Sequence, residues 1–201
     1  MSAGPSATPN TFKQGLASGK KQLGLWLALD SPTSTEIVAG AGFDWLLLDL
    51  EHTTIDLGQV VHHLRAAKGG TAEVLVRVPW NDPVTFKRLL DVGVRSFMVP
   101  MVQSAAEARS AVAATRYPPA GIRGAAGNTR ASNYSRNATY LQHADQEHCI
   151  VVQIESAKAV DAIPEIGAVD GVDGLFIGPN DLAASIGFIG RTAQTGVKEL
   201  I

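Results

Sequence analysis

The sequence predicts an α/β protein of parallel βα units. A (β/α)8 TIM barrel is the better of two architectures, and an open doubly wound sheet is the other. Three observations carry this reading. Short runs apolar on both faces recur along the chain, among them "GLWLAL", "WLLLDL" and "CIVVQIE". Strands buried on both faces belong to parallel sheets covered by helices. Segments bearing helix-capping and helix-ending residues separate these runs. No G-x-G-x-x-G follows the first run, so the dinucleotide fingerprint of the doubly wound fold is missing.

The elements follow in order. "MSAGPSATPN" is rich in Pro, Ser and Ala, without an apolar core or an arginine. It reads as a disordered tail over residues 1–14 rather than a secretory or mitochondrial leader. Gly24 to Leu29 is the first expected strand, and "DSPTSTEIVAGAG" supplies Ser/Thr caps and terminating glycines for a helix. Trp45 to Leu50 is the second strand, followed by a helix from Leu57 to Ala67 closed by Gly69-Gly70. Glu73 to Val78 is the third, followed by "DPVTFKRLLDVG" with Pro83 near the helix start. Ser96 to Pro100 is the fourth, and Ser104 caps the helix after it. Arg116 to His148 reads as irregular. Cys149 to Glu155 is the fifth strand, Ser156 to Ile166 its helix, Gly174 to Gly178 the sixth strand, and "NDLAASIG" the start of another helix. A full barrel needs about 250 residues. This chain has 201, so about six βα units and a C-terminally truncated barrel are expected.

Composition excludes several classes. The chain is 45% hydrophobic and 18% charged, which suits one globular domain with a sizeable core. Its formal net charge of −2 gives no basic surplus for nucleic acid or anionic lipid. Charged or turn residues break every apolar run before the roughly 20 residues a membrane span needs. The single cysteine, Cys149, cannot form an internal disulfide and reads as a small buried hydrophobe in a reducing compartment. The expected location is the cytoplasm.

Chemistry in parallel α/β folds gathers at the carboxyl ends of strands. The second strand there carries Asp49, Glu51 and His52, the third Arg77, the fifth Gln153 and Glu155, and the sixth Gly178-Pro179-Asn180-Asp181. Each has a bland reading: a loop pairing for Asp49, a solvated Glu51, a structural His52, a helix-start carboxylate at Asp181. Arg77 is harder to set aside, because an arginine inside an apolar strand needs a buried anionic partner. Glu155 and Asp181 offer two hard oxygen ligands, which suits Mg²⁺ or Mn²⁺ completed by water and a chelating 2-oxo acid, with Co²⁺ a further candidate. Such a cation would act as Lewis acid on the ketone and stabilise an enolate. Arg77 could add charge at the same oxygen, and His52, oriented by Asp49, could serve as general base. No lysine falls on a strand end; Lys158, in the helix after the fifth strand, comes nearest. A Schiff-base route is therefore disfavoured. His62 and His63 lack H-E-x-x-H spacing and read as helix surface or packing.

Seven segments in order, "GLWLAL", "GFDWLLLDLEHTTID", "VLVRVPWND", "LLDVGVRSFMVPMVQSAAEA", "RYPPAGIRG", "VVQIES" and "VDGVDGLFIGPNDLAASIG", resemble the HpcH/HpaI aldolase family of metal-dependent class II pyruvate aldolases. The resemblance spans about residues 15–190. It implies a barrel of the phosphoenolpyruvate/pyruvate type and a carbon–carbon lyase that splits a 4-hydroxy-2-oxo acid into pyruvate and an aldehyde. It places the base on His52 with Asp49 as partner, the enolate-stabilising arginine on Arg77, and the metal ligands on Glu155 and Asp181. It further implies that Gln153 and the backbone of Gly178, Pro179 and Asn180 hold the pyruvate moiety. Asp91 would be a carboxylate near the site, often borrowed across a subunit interface. Leu50 and Asn180 depart from the family's usual small residue and alanine, and residues 191–201 depart in place of a helix and two further βα units. Since family members exchange C-terminal helices between subunits, a homo-oligomer is implied for a complete C-terminus. The alternative is a catalytically silent fragment that at most associates with full-length subunits. A relative acting on acyl-CoA thioesters ranks lower, as no basic cluster for the CoA phosphates is visible.

Overall fold

The structure, a computed structural model, describes residues 9–201. Its first element is α1 (Thr11–Ala17), followed by β1 (Gly24–Leu27), α2 (Pro32–Ala39), β2 (Trp45–Asp49), α3 (Leu57–Ala67), β3 (Glu73–Arg77), α4 (Pro83–Asp91), β4 (Ser96–Val99) and α5 (Ala105–Thr115). A long connection holds α6 (Tyr140–His143) and a 3₁₀ turn. Then come β5 (Cys149–Ile154), α7 (Ala157–Asp161), α8 (Ile163–Gly167), β6 (Gly174–Ile177), α9 (Pro179–Ser185) and α10 (Thr195–Lys198). The six strands are parallel and ordered β1-β2-β3-β4-β5-β6. Sequential order throughout is the topology of a singly wound barrel, not of a doubly wound sheet, whose order reverses.

Alternation along the strands divides the apolar residues into two cores. Leu46, Leu48, Val74, Val76, Phe97, Val99, Ile150 and Val152 face the helices and join one cluster with Val60, Phe86, Leu89 and Ala111. Leu47, Leu75, Met98, Cys149 and Val151 face the opposite way into a second cluster that includes Phe12 of α1. The sheet is curled, since the Trp26 ring of β1 lies 5.7 Å from the Phe176 ring of β6. Strands at the two edges of a six-stranded sheet touch only if the sheet wraps around its second core.

Three segments differ from their expectation. Residues 1–8 of the expected tail lie outside the described residues, but from Thr11 onward the chain is helical. The Asn10 side chain caps α1 by accepting from the Lys13 N–H at 3.0 Å, while its amide donates to Ser96 Oγ at 2.8 Å and to the Glu147 carbonyl at 2.9 Å. Its buried Phe12 closes the amino-terminal end of the curled sheet. The helix expected over Ser156 to Ile166 is two short helices parted at Ala162, because Pro164 supplies no N–H to continue the first. Residues 191–201 include α10, whose Val197 is fully buried.

Candidate active site

Asp49 and Arg77 are direct partners in the β2–β3 register, and both point into the curl, in line with Leu47 and Leu75. Their side chains therefore meet: Arg77 Nε donates to Asp49 Oδ1 at 2.9 Å and Nη2 to Oδ2 at 2.5 Å. The pair is nearly buried, the setting in which a bidentate pair holds one geometry. The Trp26 indole N–H also donates to Asp49 Oδ2, at 3.2 Å, and its ring lies 5.1 Å from the guanidinium carbon. Burial opposes ionisation of Asp49, but hydrogen bonds from Arg77 and Trp26 and the guanidinium charge outweigh it, so its pKa falls below the ordinary value. Burial likewise works against the Arg77 charge, yet the carboxylates of Asp49, Glu51 and Glu155 raise its pKa on balance.

Past β2 the chain turns on Asp49 itself. Its Oδ1 accepts from the backbone N–H groups of Glu51 at 3.0 Å and His52 at 3.3 Å, and the Thr53 hydroxyl donates to its carbonyl. An Asx turn of this kind lets a strand end abruptly. Here the structure corrects one expectation. Asp49 grips the main chain of His52 and not its ring, because both carboxylate oxygens are engaged by Arg77, Trp26 and the turn. The imidazole is instead beside Glu51, with Nε2 at 3.8 Å from Oε2. Glu51 Oε2 also stands 3.0 Å from Arg77 Nη1, although it lacks an aligned hydrogen bond. The His52 side chain is 65% exposed and that of Glu51 only 15%, so the histidine stands at the mouth and the glutamate in the wall.

Glu155 follows β5 and is buried. Gln153 Nε2 donates to its Oε1 at 2.6 Å, and the Met101 N–H donates to its Oε2 at 2.9 Å. Gly178, between β6 and α9, leaves room for it: a Cβ there would lie 2.5 Å from Glu155 Oε1. Pro179, Asn180 and Asp181 are exposed in the first turn of α9. Burial raises the pKa of Glu51, a push opposed by Arg77 and His52 and reinforced by Asp49 and Asp181. Burial also raises that of Glu155, with the Met101 N–H opposing and Glu51 and Asp181 adding to it. Glu51, Glu155 and Asp181 thus share one crowded electrostatic field with one guanidinium.

Among the described residues, no group of three or more His, Cys, Asp or Glu side chains is close enough to hold a metal ion alone. A two-carboxylate site completed by other oxygens remains compatible with that. The donor set fits a hard cation: carboxylate oxygens crowded in a partly dry site, plus the buried, unpartnered Oε1 of Gln153. Asp91 is not brought to this group within one chain. It ends α4, which runs back from the carboxyl ends of the strands, and its carboxylate accepts from Arg123 at 3.1 Å. Sequence reasoning missed Trp26 and Met101. The inward phase of "GLWLAL" could have signalled the first, whereas nothing in "VPMVQ" marks the second.

A profile of the HpcH/HpaI aldolase/citrate lyase family matches residues 22–200. The chain is 50% identical over 193 residues to a 4-hydroxy-2-oxo-heptane-1,7-dioate aldolase of Shigella sonnei, covering 96% of this chain and 74% of the relative. A Salmonella arizonae aldolase of the same name is also 50% identical, with 73% of its length covered. Among solved structures, a HpcH/HpaI aldolase/citrate lyase family protein from Burkholderia cenocepacia superposes with a TM-score of 0.92 at 42% identity, over 95% of this chain and 77% of that one. The HpcH/HpaI aldolase from Desulfitobacterium hafniense gives 0.83 at 38% identity, over 94% and 73%. A sequential parallel sheet with its charged groups gathered at one rim, a profile match over most of the length and relatives at half identity agree: the chain belongs to the HpcH/HpaI aldolase/citrate lyase family.

Proposed function

We propose that the chain is a carbon–carbon lyase that cleaves a 4-hydroxy-2-oxo acid to pyruvate and an aldehyde, or runs the addition in reverse. The reading goes with a pyruvate-type barrel and a divalent cation held by Glu155 and Asp181, Mg²⁺ or Mn²⁺ before Co²⁺. The observation that carries it is the Asp49–Arg77 pair, in register and facing the curl, with Glu51 and His52 on one side and Glu155 across from it. When bound, the cation supplies Lewis-acid polarisation of the 2-oxo group.

The protein groups divide the remaining work. Asp49 fixes Arg77 by accepting from its Nε and Nη2, and Trp26 lies against the guanidinium, so the Arg77 charge meets the 2-oxo oxygen without reorganisation. Gln153 and the Gly178–Asn180 backbone line the pyruvate end. His52 Nε2 takes the proton of the 4-hydroxyl, directly or through water. The C3–C4 bond then breaks, its electron pair passes toward the 2-oxo carbonyl, and the aldehyde departs. C3 recovers a proton to give pyruvate. Glu51 stands beside both groups, its Oε2 3.8 Å from His52 Nε2 and 3.0 Å from Arg77 Nη1, and lines the wall between them.

The test couples pyruvate release from 4-hydroxy-2-oxoheptanedioate to lactate dehydrogenase, with Mg²⁺ or Mn²⁺ present. EDTA-sensitive turnover is expected, falling by at least about 100-fold in Arg77→Ala and His52→Ala while circular dichroism stays unchanged. No pyruvate with any metal would instead support the catalytically silent alternative.

A further inference from the structure

Met101 has φ of 54°, in the left-handed region, although it is not a glycine. A side chain with a Cβ reaches this region only against a steric clash with the neighbouring carbonyl oxygen. Such a conformation persists only where the surroundings impose it, and it gathers at functional sites. Met101 directly follows Pro100 at the end of β4. Its N–H, which an extended chain would turn toward a neighbouring strand, is aimed instead at Glu155 Oε2 at 2.9 Å. The turn is braced a second time two residues on, where the Ser156 hydroxyl donates to Gln103 Oε1 at 3.2 Å. Consecutive residues of the β5–α7 junction are thus tied to one loop. The other oxygen of Glu155 is fixed by Gln153 Nε2 at 2.6 Å, and Gly178 keeps the space beside it clear.

We propose that Met101 is a positioning residue for Glu155: its left-handed backbone presents an amide that locks the plane of the carboxylate, so that a divalent cation meets a preset oxygen pair. The inference rests on the reading of Glu155 as a metal ligand and adds to it the main chain that orients the ligand. Each oxygen accepts one hydrogen bond and keeps a lone pair for a cation. Outer partners of this kind commonly govern metal affinity. The side chain of Met101 is incidental to this role, because only the backbone angle and the N–H matter.

That distinction sets the experiment. Mn²⁺ is titrated calorimetrically into the full chain and into Met101→Gly, Met101→Asn and Met101→Val. Glycine and asparagine accept positive φ, whereas a β-branched residue does not. Gly and Asn are expected to keep the Mn²⁺ Kd within about threefold of wild type, and Val to raise it about tenfold or more. Wild-type affinity in Val, or an equal loss in Gly and Val, would overturn the proposal. Wild-type protein that binds no Mn²⁺ overturns the metal reading itself, so the two failures are told apart. Should Val not fold, amide exchange decides: the Met101 N–H is expected to be protected in wild type and to exchange at least about tenfold faster in Glu155→Ala. Equal exchange in the two would overturn the proposal.

Discussion

At Gly178 a single hydrogen atom separates a usable carboxylate from a blocked one. A Cβ would sit 2.5 Å from Glu155 Oε1, and Glu155 has nowhere to retreat, being held by Gln153 and Met101. Gly178→Ala is therefore expected to fold and to lose at least about tenfold in pyruvate release; full activity in that variant would show that Glu155 is not confined as described. Asp49 makes a prediction about stability. Removing one partner of a buried ion pair leaves the other uncompensated, so Asp49→Asn should cost about 3 kcal/mol in urea unfolding at pH 7. The sign with pH follows from its lowered pKa. A carboxylate whose folded pKa lies below its unfolded one, near 3.8, contributes stability above that value and loses it as pH falls through the folded pKa. The gap between wild type and Asp49→Asn should narrow below about pH 4. A gap unchanged down to pH 3 would mean that the pair does not carry the difference.

At the scale of elements, α1 is the piece most open to test. Asn10 is fully buried and makes a cap and two further hydrogen bonds. Asn10→Ala should cost about 2 kcal/mol, and Phe12→Ala about 3–5 kcal/mol, both by urea unfolding. The assay should show near-normal turnover per folded molecule, since α1 packs at the far end of the inner core from the rim. The sequence hid this helix because its seven residues are too few for a clear period, and Phe12 and Leu16 look stray until the curl supplies an interior for them. The strands were legible for the converse reason. Runs such as "WLLLDL" are apolar on both faces because both faces are buried, and the six expected strands appear within two residues of their expected ends. Strand phase also gave the rim: Asp49 and Arg77 share a side because their strands are in register. The partner of the His52 ring was not legible, because proximity in sequence favoured Asp49 while the turn it builds uses up that carboxylate. Pro164 breaks α7 from α8, a signal present in the sequence and outweighed by the apolar pattern around it.

Across the whole molecule, burial that makes the fold also makes it acid-sensitive at a point remote from the rim. His148 lies just ahead of β5, nearly buried, with Asp145 Oδ1 at 3.9 Å from its Nδ1. Burial lowers its pKa to about 3, and the charges of Arg123, Lys13 and Arg95 push the same way against a hydrogen bond to Thr115. In the unfolded chain the ring titrates near its ordinary 6.5. Between these values the unfolded state holds a proton that the folded state refuses. Stability is then complete above pH 6.5 and declines by about 1.4 kcal/mol per unit as pH falls toward 3. Asp49 begins to lose its contribution only below about pH 4, so between pH 4 and 6.5 the histidine acts apart from it. Urea unfolding of wild type and His148→Gln between pH 7 and 4.5 isolates the histidine, since the other ionising groups are common to both chains. The wild type should be the more acid-sensitive, with the difference growing at about that slope. Parallel curves would mean that His148 is as readily protonated in the folded protein as in the unfolded one, and that its Nδ1, unpartnered in this structure, has a donor or acceptor at hand.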